Sequence, residues 1–296
     1  MYPVYKSLGV KEECKDVKVQ FPPQHQECQP GLEYIMMPRP ISNNPYSRGS
    51  GKLQGKVAII TGGDSGIGRA IAYAFAKEGA DITISYLNEE EDACETKAFV
   101  EQIGRRCLLV PGDLKNEEMS KIVVEKTIEC FGKIDILVNN AAKSEIGLFM
   151  DFKRENINNL MNINLLAPMY LSQAVLPSMI SKGSGNIINI SSIWGETGAS
   201  CEVVYSTTKG GLNLFTKSLA KEVAPFGIRV NAIAPGVINT EMNSFLSEDE
   251  KMKLIEEIPM GRFGNGDEVA NTVVFLCQND ISYLTGQIIK IDGGFL

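Results

Sequence analysis

Tyr205 and Lys209 stand four residues apart in the segment YSTTKGG. On a helix that spacing puts both side chains on one face, one turn apart. A phenol ionises near pH 10 and is a poor base at neutral pH. A neighbouring ammonium favours the phenolate, so Tyr205 can take a proton from a hydroxyl or give one to a carbonyl oxygen. Alone, such a pair is an ordinary surface feature of a helix. Thirteen residues before Tyr205, the apolar run NIINIS leads into Ser191 and Ser192. A hydroxyl at the end of a buried parallel strand lies where open sheets bind ligands, and it can hydrogen-bond an oxygen that gains charge. Either serine fits that description, and either also fits a plain strand end.

A second constellation lies upstream, in TGGDSGIG at Thr61–Gly68. The run KVAIIT before it reads as a buried strand and the segment after it as a helix. A strand that turns into a helix N-terminus aims backbone N–H groups and the positive end of the helix dipole at one point, which suits a pyrophosphate. Gly62 permits the tight turn, Gly66 lets the backbone approach the ligand, and Gly68 lets the helix pack on the strand. Asp64, Ser65 and Ile67 complete the turn as candidate contacts. Glycine-rich turns alone are a weak signal, and the spacing G-x-x-x-G-x-G departs from the commoner G-x-G-x-x-G.

The elements that must carry these groups alternate. Strands are expected at 56–61, 81–86, 108–113, 133–142, 186–191, 228–235 and 287–292. Helices are expected at 67–78, 90–103, 116–131, 155–181, 203–225 and 267–278. Strand and helix in repeated alternation imply an α/β protein, a doubly wound parallel sheet with helices on both faces. Residues 51–296 form this unit. Residues 1–50, rich in Pro, Gln and Asn, read as an N-terminal extension in which fixed φ and missing donors disfavour long regular elements. Its patch Leu32, Tyr34, Ile35, Met36 and Met37 fits either a contact with the body or a loose arm.

Composition narrows the partners. Of 296 residues, 44% are apolar and the formal net charge is −7, which disfavours nucleic acid or an anionic membrane as a partner. No segment reads as a membrane span, and the N-terminus lacks the apolar run of a signal peptide, so a cytoplasmic location is expected. Seven cysteines without a C-x-x-C read as reduced thiols. With His25 as the single histidine, neither a zinc site nor a catalytic triad with a core histidine is expected.

Together TGGDSGIG, NNAA (Asn139–Ala142), ISS (Ile190–Ser192), YSTTK (Tyr205–Lys209) and APG (Ala234–Gly236) resemble, in order, the motifs of the short-chain dehydrogenases/reductases. The resemblance covers residues 50–296. It departs at Ala142, where glycine is commoner, and at Gly63 and Asp64, where many relatives carry Ala and Ser. It implies a single-domain Rossmann fold with a seven-stranded sheet, a nicotinamide cofactor, and hydride transfer to a carbonyl or from a secondary alcohol. Asn164, Ser192, Tyr205 and Lys209 would be the catalytic set, with Ser192 chosen over Ser191 and with Asn164, rather than Asn162, anchoring a water that completes a proton relay. Lys209 would also bond the nicotinamide ribose. Asp113 and Leu114 would meet the adenine. Asn139 and Ala141 would line the ribose side, Ile190 would back the nicotinamide, and Pro235, Gly236, Ile238 and Thr240 would hold the carboxamide and a phosphate.

An acidic residue about 20 positions after the glycines usually bonds the ribose of NAD and repels the extra phosphate of NADP. Tyr86 occupies that place, and Arg69 is the nearest basic group, while Glu89, Glu90 and Glu91 oppose a 2′-phosphate. NADP(H) is favoured on this count, with NAD(H) open. The proline-rich arm resembles glucose/ribitol-dehydrogenase-like members, whereas the block from Ser191 to Gly211 resembles 3-oxoacyl-carrier-protein reductases. The expected substrate is a small uncharged carbonyl compound or alcohol. The alternatives are a 3-oxoacyl-carrier-protein reductase and a cofactor-binding redox sensor without catalysis. The segment 239–264 is expected to form a lid. Its Met242, Phe245, Leu246, Leu254, Ile255 and Met260 either line a pocket or form the inner face of an amphipathic helix. Apolar surplus on the helices at 155–181 and 203–225 points to a homotetramer.

Overall fold

The computed structural model describes residue 26 and residues 31–46, 48–244 and 246–296. Cys14, His25, Cys28 and Phe245 lie outside the described residues. Seven strands form one sheet: β1 (Val57–Thr61), β2 (Asp81–Tyr86), β3 (Cys107–Pro111), β4 (Ile136–Asn139), β5 (Gly185–Ile190), β6 (Ile228–Pro235) and β7 (Ile288–Ile291). Their order is β3-β2-β1-β4-β5-β6-β7, and every pairing is parallel. This is the doubly wound Rossmann sheet the alternation predicts. The order reverses beside β1, so a crevice opens at the carboxyl ends of β1 and β4.

Side chains alternate across the strands and so feed two cores. Ala58 and Ile60 face one side with Ile71 and Phe75 of α1 (Gly66–Lys77), Ala93 and Val100 of α2 (Glu90–Gln102), and Val269 and Val273 of α9 (Gly266–Cys277). Ile59 faces the other with Val123 of α3 (Glu117–Phe131), Leu171 and Val175 of α5 (Ala167–Lys182), and Leu219 of α7 (Val203–Val223). Each such apolar side chain contributes roughly 1.5–3 kcal/mol when fully buried.

Three elements differ from expectation. The single helix expected at 155–181 is α4 (Arg154–Met161), a π-turn at Asn162–Leu166, and then α5. The Asn164 side chain is spent on the backbone of a neighbouring loop, and Pro168 brings no N–H, so the regular ladder is interrupted there. The strand expected at 133–142 is paired only over Ile136–Asn139, and its polar end is the start of the crevice. In the lid, a short 3₁₀ turn (Glu241–Asn243) precedes α8 (Glu248–Glu257), while α6 (Trp194–Thr197) is one turn between β5 and α7.

By length and composition alone, the run Arg154–Lys182 could cross a membrane, although no segment is expected to from the sequence. Its residues Ala167, Leu171, Val175 and Met179 are buried against the sheet, which is the packing of a core helix.

Residues 31–46 of the arm lie on the body. Arg39 pairs with Glu95 of α2 at 2.6 Å, and Lys77 of α1 donates to Asn43 at 2.7 Å. The apolar patch is divided: Met36 is buried, Leu32 and Tyr34 are half-buried, and Ile35 and Met37 are exposed.

Candidate active site

A cleft of about 310 Å³ runs along the carboxyl ends of the strands. Its floor begins at Thr61, whose hydroxyl accepts from the backbone N–H of Asn140 and of Ala141, each at 2.9 Å. Asn140 in return donates to the carbonyls of Thr61 and Gly62, at 3.0 Å each. The turn after β1 is thereby tied to the turn after β4. Gly62 and Gly66 both have positive φ. At Gly68 a Cβ would stand 1.8 Å from the Gly62 carbonyl oxygen, so only glycine lets α1 reach the strand.

Asp64, Ser65, Gly66, Ile67, Tyr86, Asp113, Leu114, Ala141, Ile190, Ser192, Tyr205, Lys209, Pro235, Gly236, Ile238 and Thr240 all line this cleft. Burial raises the Asp64 carboxyl to about 7, and the Glu89 charge adds to the rise. The Tyr86 hydroxyl donates to Glu90. Asp113 lies two residues beyond the end of β3 and pairs with Lys115 at 3.3 Å.

Three predicted residues stand outside the lining: Gly68, which packs α1 on the strand, Asn139 and Asn164. Asn139 does not line the cleft. It is buried, and its amide donates to Asn189 at 2.8 Å and to Ser172 at 3.3 Å inside the sheet layer, because the strand alternation turns it inward. Its neighbour Asn140 takes the cleft position. Asn164 does not line the cleft either. Its amide brackets Lys143, accepting from the N–H and donating to the carbonyl at 2.8 Å each, and donates to Thr208 at 3.3 Å. It therefore fixes the loop after β4 and meets α7 at Thr208 in place of the lysine. Arg69 is no free cation beside the ribose. It is buried in ion pairs with Glu33 at 2.6 Å and Asp92 at 2.8 Å.

The catalytic side chains converge from two elements. Tyr205 and Ser192 both line the cleft, and the Ser192 Oγ accepts from the Trp194 N–H at 3.2 Å. Ser191 Oγ instead donates to the Lys209 carbonyl at 3.3 Å, holding α7 on β5. The Lys209 Nζ donates to the Ile190 carbonyl at 2.8 Å. Burial pushes Lys209 down to about 7. Burial, joined by the Glu202 charge, pushes Tyr205 above the usual phenol range, and the nearby Ser192 hydroxyl works against the rise. Lys209 does not bring the phenol down as expected, since desolvation disfavours the charge on both groups.

Sequence reasoning missed Asn140, Lys143, Asn159, Ile163 and Asn243 as lining residues. Asn140 had a signal, since it sits inside NNAA. The others reach the cleft only through folding. From the lid, Met242 lines the cleft, Leu254 and Ile255 are half-buried on α8 as the amphipathic-helix reading expects, and Met260 is exposed beyond the helix. Among the described residues, no group of three His, Cys, Asp or Glu side chains is placed to hold a metal ion.

The residues fit a dinucleotide. The glycine cradle leaves room for a phosphate at the N-terminus of α1. At the far end of β2, Glu89 is buried and its Oε1 has no hydrogen-bond partner, an acceptor ready for a ribose hydroxyl.

Comparison with known proteins agrees with this geometry. The family model described as enoyl-(acyl carrier protein) reductase, of the short-chain dehydrogenase C2 type, matches residues 62–296. An uncharacterized oxidoreductase of Bacillus subtilis, YhdF, is 46% identical over 274 residues, covering 92% of this chain and 94% of that one. The 3-oxoacyl-[acyl-carrier-protein] reductase FabG of Aquifex aeolicus is 43% identical over 243 residues, covering 82% and 98%. The glucose and ribitol dehydrogenase of Daucus carota is 37% identical over 283 residues, covering 93% and 97%. The crystal structure of a Sinorhizobium meliloti 1021 protein assigned as a short-chain alcohol dehydrogenase superposes with a TM-score of 0.79 at 35% identity, covering 82% and 97%. The chain belongs to the short-chain dehydrogenase/reductase family. It is an oxidoreductase that depends on a nicotinamide cofactor.

Proposed function

We propose that this enzyme interconverts a small uncharged carbonyl compound and its alcohol with Tyr205 as acid and base, and that its cofactor is NAD(H). The observation that carries the first part is that Ser192 and Tyr205 meet in the lining of one cleft, with Lys209 buried one helical turn away. A nicotinamide held along the cleft supplies or accepts the hydride at the substrate carbon. In the reducing direction Tyr205 donates its proton to the carbonyl oxygen. Ser192 donates a hydrogen bond to the same oxygen as charge gathers there. The high phenol pKa keeps that proton in place at neutral pH. Lys209, held on the Ile190 carbonyl, is the charge that stabilises the phenolate left behind. Asn164 acts at one remove, by holding the loop that carries Lys143.

In the sequence NADP(H) is favoured because Tyr86 replaces the usual acid, with Arg69 as the nearest basic group, but Arg69 is already paired with two carboxylates. The lining at the end of β2 and in the adjoining turn carries the acids Asp64 and Glu89, with Tyr86 between β2 and Glu90. Buried carboxylates repel a 2′-phosphate and accept from a 2′-hydroxyl. Leu214 on α7 is 66% exposed and Met169 on α5 is also exposed, which supports pairing of these helices between copies in a homotetramer. The unpaired thiols of Cys94, Cys107, Cys130, Cys201 and Cys277 support the cytoplasm as the compartment.

The test is oxidation of NADH and NADPH with a panel of ketones, aldehydes and aldoses. Turnover that prefers NADH supports the reading. Tighter use of NADPH overturns the cofactor assignment, and binding of NADH without turnover on any carbonyl favours the sensor alternative. Light scattering at micromolar protein reads the assembly, and a monomer overturns the tetramer.

A further inference from the structure

Glu33 belongs to the N-terminal arm, yet it is 1% exposed and lies against the phosphate-binding turn. One carboxylate oxygen accepts from the Gly66 N–H at 2.6 Å and the other from Arg69 at 2.6 Å. The Glu33 N–H donates to Asp92 of α2 at 2.8 Å. Asp92 also takes Arg69 at 2.8 Å, so arm, α1 and α2 meet in one buried cluster. Two residues earlier, Gly31 packs directly against the Glu241 carboxylate of the lid turn. The contact is tight: a Cβ at residue 31 would stand 2.1 Å from Glu241 Oε1. Gln26 closes the arm on itself by bonding both the N–H and the carbonyl of Leu32, at 2.8 and 3.0 Å.

Residues 31–33 thus join two segments that both line the cleft, Gly66 and Ile67 of the glycine cradle and Thr240, Glu241 and Met242 of the lid turn. The two turns are already neighbours, since a Cβ at Gly66 would stand 3.5 Å from Thr240 Cγ2. Gly66 holds positive φ at the first residue of α1, and Glu33 fixes its N–H. The next residue, Ile67, then faces the cleft with the helix N-terminus behind it. Arg69 pairs with Glu33 and offsets part of the carboxylate charge beside the phosphate-binding turn.

We propose that residues 31–33 are a strap that holds the phosphate-binding turn and the 240–243 turn closed around the dinucleotide, with Glu33 as a positioning residue for cofactor binding. This rests on the dinucleotide site proposed above. Without the strap, the buried Gly66 N–H, Arg69 and Asp92 each lose a partner, and the lid turn loses its tether. The effect falls on retention of the cofactor, because no strap residue touches Tyr205 or Ser192.

The experiment uses the full chain and NADH as the probe. NADH fluorescence gives Kd, and stopped-flow displacement gives the dissociation rate. Glu33→Ala is expected to weaken NADH binding about tenfold, mainly through faster dissociation. Glu33→Gln still accepts from Gly66 and is expected to recover most of that loss. Glu241→Ala, which removes the side chain that Gly31 packs on, is expected to shift dissociation in the same direction as Glu33→Ala. The kcat at saturating NADH should change far less than Kd. In the wild type, hydrogen exchange of the amides at 31–36 should slow on adding NADH, a reading that needs no variant. Unchanged NADH affinity and dissociation in Glu33→Ala beside a lowered melting temperature would show that the arm only packs. Exchange at 31–36 that ignores NADH also overturns the strap. A wild type that binds neither NADH nor NADPH removes the dinucleotide reading itself, and the strap with it.

Discussion

The Lys209 Nζ stands 5.6 Å from the centroid of the Tyr205 ring and 2.8 Å from the Ile190 carbonyl oxygen. The lysine is therefore fixed by the last residue of β5, and its influence on the phenol is through space. Both groups are buried, and each is pushed toward its neutral form.

On the proposal that Tyr205 supplies the proton and the cradle glycines meet the phosphates, Tyr205→Phe should separate chemistry from binding. We expect kcat to fall by about a thousandfold, a general acid being worth roughly 10²–10⁴, with NADH affinity within about twofold. Steady-state kinetics beside fluorescence titration checks this. Turnover that survives would remove Tyr205 from the proton step.

Lys209→Met should cost activity yet stabilise the fold in a pH-dependent way. The folded lysine titrates near 7 because it is buried, against 10.5 in the unfolded chain. Below pH 7 both states carry the charge, and the folded state bears its full burial penalty. Between 7 and 10.5 the unfolded chain binds more protons, so stability rises with pH and the penalty fades. The variant should melt a few degrees above wild type at pH 6, with the gap closing toward pH 10. A gap that stays constant across that window would contradict the burial account.

Asp64→Asn has the opposite sign. Burial raises the folded carboxyl to about 7 from 3.8. Below 3.8 both states are protonated and the residue contributes nothing. From there to 7 the folded state binds more protons, so stability falls as pH rises. The variant should match wild type in melting temperature near pH 4 and exceed it at pH 8. Equal melting at both pH values would show that the carboxyl titrates normally.

The charge of the lid bears on the substrate. Glu248, Asp249, Glu250, Glu256 and Glu257 lie on or beside α8, offset by Lys251 and Lys253, and Glu241 is drawn onto the arm. Like-signed surfaces slow encounter with an acidic carrier. The same β-ketoacyl group should be reduced at least as well on a short thioester as on an acyl carrier protein. A strong preference for the carrier that vanishes in high salt would reverse this assignment and point to a dock at Lys153 and Arg154.

Much of the molecule follows from local sequence. Strand and helix periods place the seven strands, and the glycines of TGGDSGIG are dictated by contacts within a single strand-turn-helix unit. Tyr205 and Lys209 share a face because a helix repeats every 3.6 residues. These features depend on neighbours in the chain, so spacing reveals them. The identities of Asn139 and Asn140 are the same, yet one enters the sheet layer and the other the cleft, and only the end of β4 in the folded sheet assigns them. Asn164 is marked by its motif, but only the fold shows that its side chain is held by the backbone of Lys143 within a π-turn. Arg69 could have faced a phosphate until Glu33, 36 residues away, reached it. Charge pairing across that distance depends on where the arm lies, and no periodicity records it. The sequence by itself determined the sheet, the cradle and the catalytic pair. The tertiary structure decided which polar groups remain free to meet a cofactor, because burial and long-range partners set their protonation and their reach.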